Sequence, residues 1–189
     1  MSDYGRELEF GVSVAPLADP PDLAARVAKA ADRAGLDLVG IQDHPYQRRF
    51  LDTWTLISTL VPVTEHVRFF PDVVNLPLRP PAMLAKAAAS LDVLSGGRVE
   101  MGLGAGAFWD AVVGMGGPRR SPGEAVRSAE EAIRVMRYFR LLALQGPGAA
   151  GRGLRQRGSA RRKGGRTVGA LLKRNDKLPP GGVRGRYVA

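Results

Sequence analysis

The feature that most narrows what this chain can fold into is a recurrence: strand-like runs begin near residues 9, 36, 67 and 99, a spacing of about 30 residues that holds one β-strand and one crossover helix. Each run is followed by a helical pattern with its own punctuation. Glu9 to Ala15 alternates and ends at Pro16, after which Pro20 and Pro21 precede Leu23, Val27, Ala30, Ala31 and Ala34 at helical spacing, stopped by Gly35. Leu36 to Ile41 is a second strand, and Asp52 is placed to cap a helix carrying Trp54, Leu56, Ile57 and Leu60 that Pro62 ends. Val67 to Val74 is a third, interrupted at Pro71 and Asp72. Pro80 and Pro81 open the next helix, which runs through Leu94 to Gly96 and Gly97. Val99 to Leu103 is the fourth strand, and Ser121, Pro122 and Glu124 form a capping box before a stripe of Val126, Ala129, Ile133 and Met136.

Strands alternating with helices at this interval predict a parallel sheet. Right-handed crossovers then put every strand's C-terminal end on one face, where sites in such folds gather. The 44% hydrophobic content suits a globular core. No segment resembles a secretory leader or a membrane span, and the absence of cysteine fits a reducing compartment. The expectation is a cytoplasmic protein with no membrane association.

Charge is distributed very unevenly. Residues 1–139 hold 15 of the 28 Lys and Arg and 17 of the 18 acidic residues, leaving that part near −2. The 13 remaining bases face only Asp176, about +12, in a stretch rich in Gly, Arg and Pro. The predicted organisation is therefore a folded domain over residues 1–145 and a basic tail over 146–189 with the composition of a disordered segment. The pattern is lost within about ten residues of Phe139, inside a well-capped helix, and no second core follows. That abruptness reads as an out-of-frame or otherwise non-homologous extension.

Several residues invite chemistry. Asp43-His44 directly follows the second strand, so both belong at the active face, and His suits proton transfer near neutral pH; hydrogen bonding within a loop is the alternative. Asp72 is a costly charge within a strand, read either as facing something polar or as a solvated strand end. Gly102 to Ala107, with Gly104 at its centre, matches the loose dinucleotide fingerprint, which leaves a Rossmann-like nucleotide-binding domain as one alternative. A basic-tailed nucleic-acid-binding protein is another. His66 falls at a helix-to-strand turn on the opposite face and reads as structural. No His, Asp and Glu grouping has metal-ligand spacing.

Four segments in order resemble the luciferase-like monooxygenase family: Gly40 to His44, Asp52 to Leu56, Leu84 to Arg98 (LAKAAASLDVLSGGR), and Val99 to Gly106. The resemblance covers about residues 8–140. It implies a TIM-type (β/α)8 barrel, of which this chain would supply a parallel (β/α)4 half. It also implies a flavin-dependent oxidoreductase or monooxygenase using FMN or 8-hydroxy-5-deazaflavin (coenzyme F-420), acting on a small organic substrate. A half-barrel leaves its first and fourth strands as open edges and exposes apolar interior, which favours self-association into a homo-oligomer. By resemblance His44 is the catalytic histidine beside the flavin, with Asp43 next to it. A bulge in the third strand places a cis peptide at Asp72-Val73 behind the ring, Asn75 at the ring edge, and Asp110 as a polar cofactor ligand beyond strand four. Ala107 stands where deazaflavin sugar-phosphate dehydrogenases of the family carry a glutamate, so that activity is not expected. The family holds the flavin phosphate with loops of the second half of the barrel, so a truncated chain would be impaired in binding it.

The tail's charge predicts weak, sequence-blind nucleic-acid binding that falls steeply with salt. Anisotropy with labelled DNA should lose that binding when residues from 146 onward are deleted. Sequence-selective binding that survives physiological salt would favour the nucleic-acid-binding alternative.

Overall fold

A computed structural model describes residues 8–143 and 187–188. Three strands, β1 (Gly11–Val14), β2 (Leu38–Ile41) and β3 (Arg68–Pro71), form a parallel sheet in that order, with Gly11, Leu38 and Arg68 in register. The short β4 (Val74–Asn75) runs parallel to β5 (Met101–Gly104). A bridge between Phe69 and Val99 links β3 to the start of that second ladder, through Phe69 N–H to Arg98 O at 2.9 Å and Glu100 N–H to Phe69 O at 2.8 Å. The run expected as one strand over Val67 to Val74 is thus two, broken at Asp72-Val73, where the peptide is cis as the resemblance implies. Tyr187–Val188, called β6, lies parallel beside β5. The rest of the expected tail, 146–186 and 189, lies outside the described residues.

The helices fall where their punctuation puts them. α1 spans Leu23–Arg33, α2 Thr53–Leu60, α3 Pro81–Leu94 and α5 Pro122–Ala143, with a short α4 (Trp109–Gly114) between the last two. Asp52 caps α2 by accepting the Thr55 N–H at 2.9 Å. Ser121 and Glu124 close the capping box, the Ser121 N–H donating to Glu124 Oε2 at 2.8 Å and the Glu124 N–H facing Ser121 Oγ at 3.5 Å. Two stripes are shifted from expectation. In α1 the buried residues are Ala24, Ala28 and Ala31, and in α5 Ala125, Ala132 and Met136, with Val126 exposed. Small side chains let a helix lie close to its neighbour, so the nearest approach falls on alanines while larger neighbours flank it.

Two apolar clusters result. The first joins α1 and α2 to the sheet through Ala28, Ile57, Leu60, Val39, Ile41 and Phe69. The second holds α3 and α5 against β4 and β5 through Leu84, Ala85, Ala132, Met136, Val74 and Met101, with Trp54 among them. Each fully buried large aliphatic or aromatic side chain contributes roughly 1.5–3 kcal/mol.

The ends of the strands opposite the expected site are tied by two charged side chains. The Asp32 carboxylate, near the end of α1, accepts the N–H groups of Glu65, His66 and Val67, each at 2.8 Å, fixing the entry to β3. Beyond α3, Arg98 donates to Ser95 O, Thr64 Oγ1 and Val61 O at 3.1, 3.0 and 2.8 Å. His66 itself is solvent-exposed beside Glu65.

Burial alone would raise the Asp32 pKa, but the amides of Glu65, Val67 and His66 outweigh it and hold the carboxyl below its ordinary value. A depressed folded value means a stabilisation fully present above the unfolded pKa of about 3.9 and lost as pH falls through the folded one. Asp32→Asn should lower unfolding stability in urea by about 2 kcal/mol at neutral pH. The gap from wild type should close in strong acid; a gap of equal size there would refute the charge's role.

Candidate functional site

The C-terminal ends of β2, β4 and the helices beyond them meet at one buried ion pair. β2 is apolar on both faces and delivers the chain to Asp43, whose side chain is only 1% exposed. Such a charge needs full compensation. Arg79, just ahead of α3, supplies it with a two-pronged contact, Nε to Oδ2 and Nη2 to Oδ1, both 2.7 Å. Oδ2 also accepts the backbone N–H of Asn75 at 3.0 Å. The same Arg79 Nη2 reaches Asp52 Oδ1 at 2.6 Å, so one guanidinium joins the end of β2, the cap of α2 and the start of α3. Burial would lower the Arg79 pKa, but Asp43 and then Asp52 raise it on balance. Burial would likewise raise Asp52, yet the bonds from Arg79 and the Thr55 amide hold it below the ordinary carboxylate value.

His44 follows Asp43 and leaves the core. Its ring stacks on Tyr46 at 5.5 Å and Phe50 at 6.5 Å, and meets Phe108 edge-on at 5.7 Å. Burial, then the charge of Asp43, raises the Tyr46 pKa, so the phenol stays neutral.

The break between β3 and β4 forms the adjoining wall. Asp72 accepts a hydrogen bond from Ser13 Oγ of β1 at 2.9 Å; the intervening Gly40 makes room, since a Cβ there would meet Asp72 Cβ at 3.1 Å and Phe70 Cζ at 2.8 Å. Val73 is partly exposed, at 36%, and its two methyl groups rest against β5. A Cβ at Gly102 would lie 3.2 Å from Val73 Cγ1, and one at Gly104 only 2.7 Å from Val73 Cγ2. The glycine run therefore accommodates the chain's own side chains. Gly104 supports Val73, and Gly106 admits the ring of Trp109 and Pro77. On the side where a Cβ would stand these glycines are packed by protein, and the helix beyond them, α4, has six residues.

Of the residues singled out by sequence, Asp43, His44, Asp72, Val73, Asn75 and Gly104 thus occur at the ends of neighbouring parallel strands. Asp110, on α4, is 96% exposed and pairs with Arg119; among the described residues no hydrogen bond or ion pair joins it to His44, Asp72 or Asn75. Arg79 was not foreseen. An arginine before two prolines looks like a loop charge, and its partner lies 36 positions earlier in the chain.

The site can be tested for its fit to a flavin. Asn75 is 6% exposed and its Oδ1 has no hydrogen-bond partner. An unmet buried acceptor costs about 1–3 kcal/mol, a cost removed by a ligand carrying a ring-edge N–H. Val73, two residues before it, is partly exposed, and His44 follows the Asp43 that holds the Asn75 N–H. An isoalloxazine, with a ring-edge N–H and a flat apolar face, has the chemistry that such groups could hold. Among the described residues no group of three or more His, Cys, Asp or Glu could hold a metal ion, and no helix is long and apolar enough to cross a membrane.

Known proteins share the parallel β/α arrangement that carries these residues. The family model for luciferase-like monooxygenases matches residues 7–151. A functionally uncharacterized protein of Mycobacterium bovis is 33% identical, over 57% of this chain and 45% of its own length. The oxygenating constituent of 3,6-diketocamphane monooxygenase from Pseudomonas putida, solved with FMN, is 28% identical with a TM-score of 0.61, covering 68% of this chain and 38% of that one. A secondary alcohol dehydrogenase dependent on coenzyme F-420, solved with an adduct of that coenzyme and acetone, is 25% identical with a TM-score of 0.63, covering 70% and 42%. The chain spans less than half the length of each of these relatives.

If Arg79 neutralises Asp43 as described, Arg79→Ala leaves a buried carboxylate unpaired and should cost about 3–5 kcal/mol in urea unfolding. Asp52→Asn, at a half-exposed position, should cost about 1 kcal/mol or less. Equal losses in the two variants would show that the Asp43 contact does not dominate.

Proposed function

The chain belongs to the luciferase-like monooxygenase family, and from that premise we propose that it is the flavin-ring half of an oxidoreductase acting on a small organic substrate. The architecture this implies is a (β/α)4 half of a (β/α)8 barrel, with the remaining β/α units supplied by further chain or by a partner. The observation that carries the reading is the unmet acceptor of Asn75, whose backbone N–H is held by the Asp43 that precedes His44, at the C-terminal ends of neighbouring parallel strands. Both FMN and coenzyme F-420 present the flat tricyclic ring that this wall suits, and the two solved relatives carry one each.

In this reading Val73 supports the back of the ring and Asn75 Oδ1 accepts a ring-edge N–H. Gly102 and Gly104 keep β5 low enough for Val73 to sit at the required height. Asp72, oriented by Ser13, presents a carboxylate at the same rim. When bound, the flavin supplies hydride or electron transfer, with oxygen as co-substrate in the monooxygenase case. His44 holds or delivers a proton at the substrate oxygen as charge develops there. Asp43 fixes the backbone that precedes His44, and it does so as a neutralised carboxylate because Arg79 balances it.

Activity of residues 1–189 alone is expected to be impaired, because the phosphate of the cofactor falls to elements beyond these four units. The outer edge of β1 has no strand neighbour among the described residues, a feature that favours association with a second copy or a completing half.

FMN and coenzyme F-420 titrated separately, followed by flavin fluorescence, test this reading. Asn75→Ala should weaken whichever cofactor binds about tenfold, at little cost to stability, because its Oδ1 has no protein partner to lose. His44→Ala should reduce turnover at least about a hundredfold with a smaller change in affinity. Unchanged affinity in the first variant and unchanged turnover in the second would remove both residues from the site.

A further inference from the structure

The ring of Phe108 is the least explained feature of the rim. Four aromatic rings meet there, yet Phe108 leaves 64% of its surface in solvent. Its backbone is left-handed, at φ 54° and ψ 50°, a conformation that costs a residue with a side chain roughly 1–2 kcal/mol. Trp109, its neighbour, turns the other way and covers itself against Gly106 and Pro77. The left-handed turn thus separates two consecutive aromatic residues, Trp109 partly covered and Phe108 held out, with the Phe108 ring meeting His44 edge-on at 5.7 Å and tilted over Tyr46 at 6.0 Å. A ring recruited only for packing would be covered. Strained residues of this kind concentrate where a ligand is gripped.

The surroundings fix the chemistry of what is gripped. Tyr46 presents a neutral phenol, and the nearby Asp43 carboxylate is engaged by Arg79. The rings offer apolar faces and edges, a setting that rewards a flat uncharged molecule over an ion that must shed its water there.

We propose that Phe108 and Tyr46, against His44, form the substrate subsite, and that it takes an uncharged, ring-bearing organic compound, with Phe108 setting the accepted size and polarity. This rests on the flavin reading only for the word substrate; the binding itself does not need the cofactor.

Acetophenone and benzoate, similar in size and differing in charge, are the probes. Saturation-transfer NMR on the full chain gives a Kd for each. Wild type should bind acetophenone at least about tenfold more tightly than benzoate. Phe108→Ala should weaken acetophenone about three- to tenfold, Tyr46→Ala similarly, and Phe108→Leu should restore part of the loss. Benzoate binding as tightly as acetophenone overturns the assigned ligand class. Acetophenone binding untouched by Phe108→Ala, as expected if that ring instead meets another protein surface, overturns the subsite. FMN and coenzyme F-420 are titrated into the same samples: ring-probe binding that depends on Phe108 upholds the subsite whatever their affinity, and the flavin reading falls separately, if Asn75→Ala leaves the affinity of whichever cofactor binds unchanged.

Discussion

The contact between Arg79 and Asp43 is the constraint around which the rest of the site is arranged. A carboxylate at the end of β2 is 1% exposed, and burying it alone would cost several kcal/mol. The fork of Arg79 makes the burial tolerable, and the amide of Asn75 completes the acceptor's coordination. Because Asp43 immediately precedes His44, whatever fixes the first carboxylate also fixes the departure of the histidine from the core. Asp52 then shares the guanidinium, so the helix that begins at Thr53 takes its starting point from the same cation. A lysine could balance the charge but would not reproduce the planar fork.

Much of the framework was legible because its signals are local. Proline and glycine punctuation around α3, the box of Ser121 and Glu124, and the cap at Asp52 each involve neighbours within a few positions, and the structure places all three helices accordingly. The parallel ladder followed from strand spacing. Pairing across distance could not be read. Nothing in the order of residues ties Arg79 to Asp43, or Asp32 to the amides of residues 65–67. Stripe assignment erred for a related reason: Val27 and Val126 are the more hydrophobic residues, but helix approach is set by size, and alanine wins the closest contact.

The glycine run carries a second meaning that its spacing does not announce. Its spacing fits a phosphate-binding loop, and in a different fold the bare backbone would face a ligand. Here the space vacated at Gly102, Gly104 and Gly106 is claimed by Val73, Trp109 and Pro77. The same residues that look like a nucleotide cradle serve to bring β5 close under the β3–β4 break. The single Asp-His pair at the exit of β2 marked the candidate site, and the resemblance added Val73 and Asn75 to it. Composition alone pointed elsewhere, since the net charge of +10 belongs to the tail rather than to the rim where the chemistry is expected.

Arg79 and Arg98 stand at the two ends of α3, one gathering the loops at the site and the other gathering the loops at the opposite rim. The helix between them has 14 residues, a rod of about 21 Å. It therefore acts as a spacer whose length and phase are both fixed. Lengthening it by one residue would swing one arginine by about 100° relative to the other and pull one set of loops off its cation. This stretch can accept exchanges of side chain on its outer face while remaining closed to insertion or deletion, so divergence among relatives should change its letters and leave its count alone.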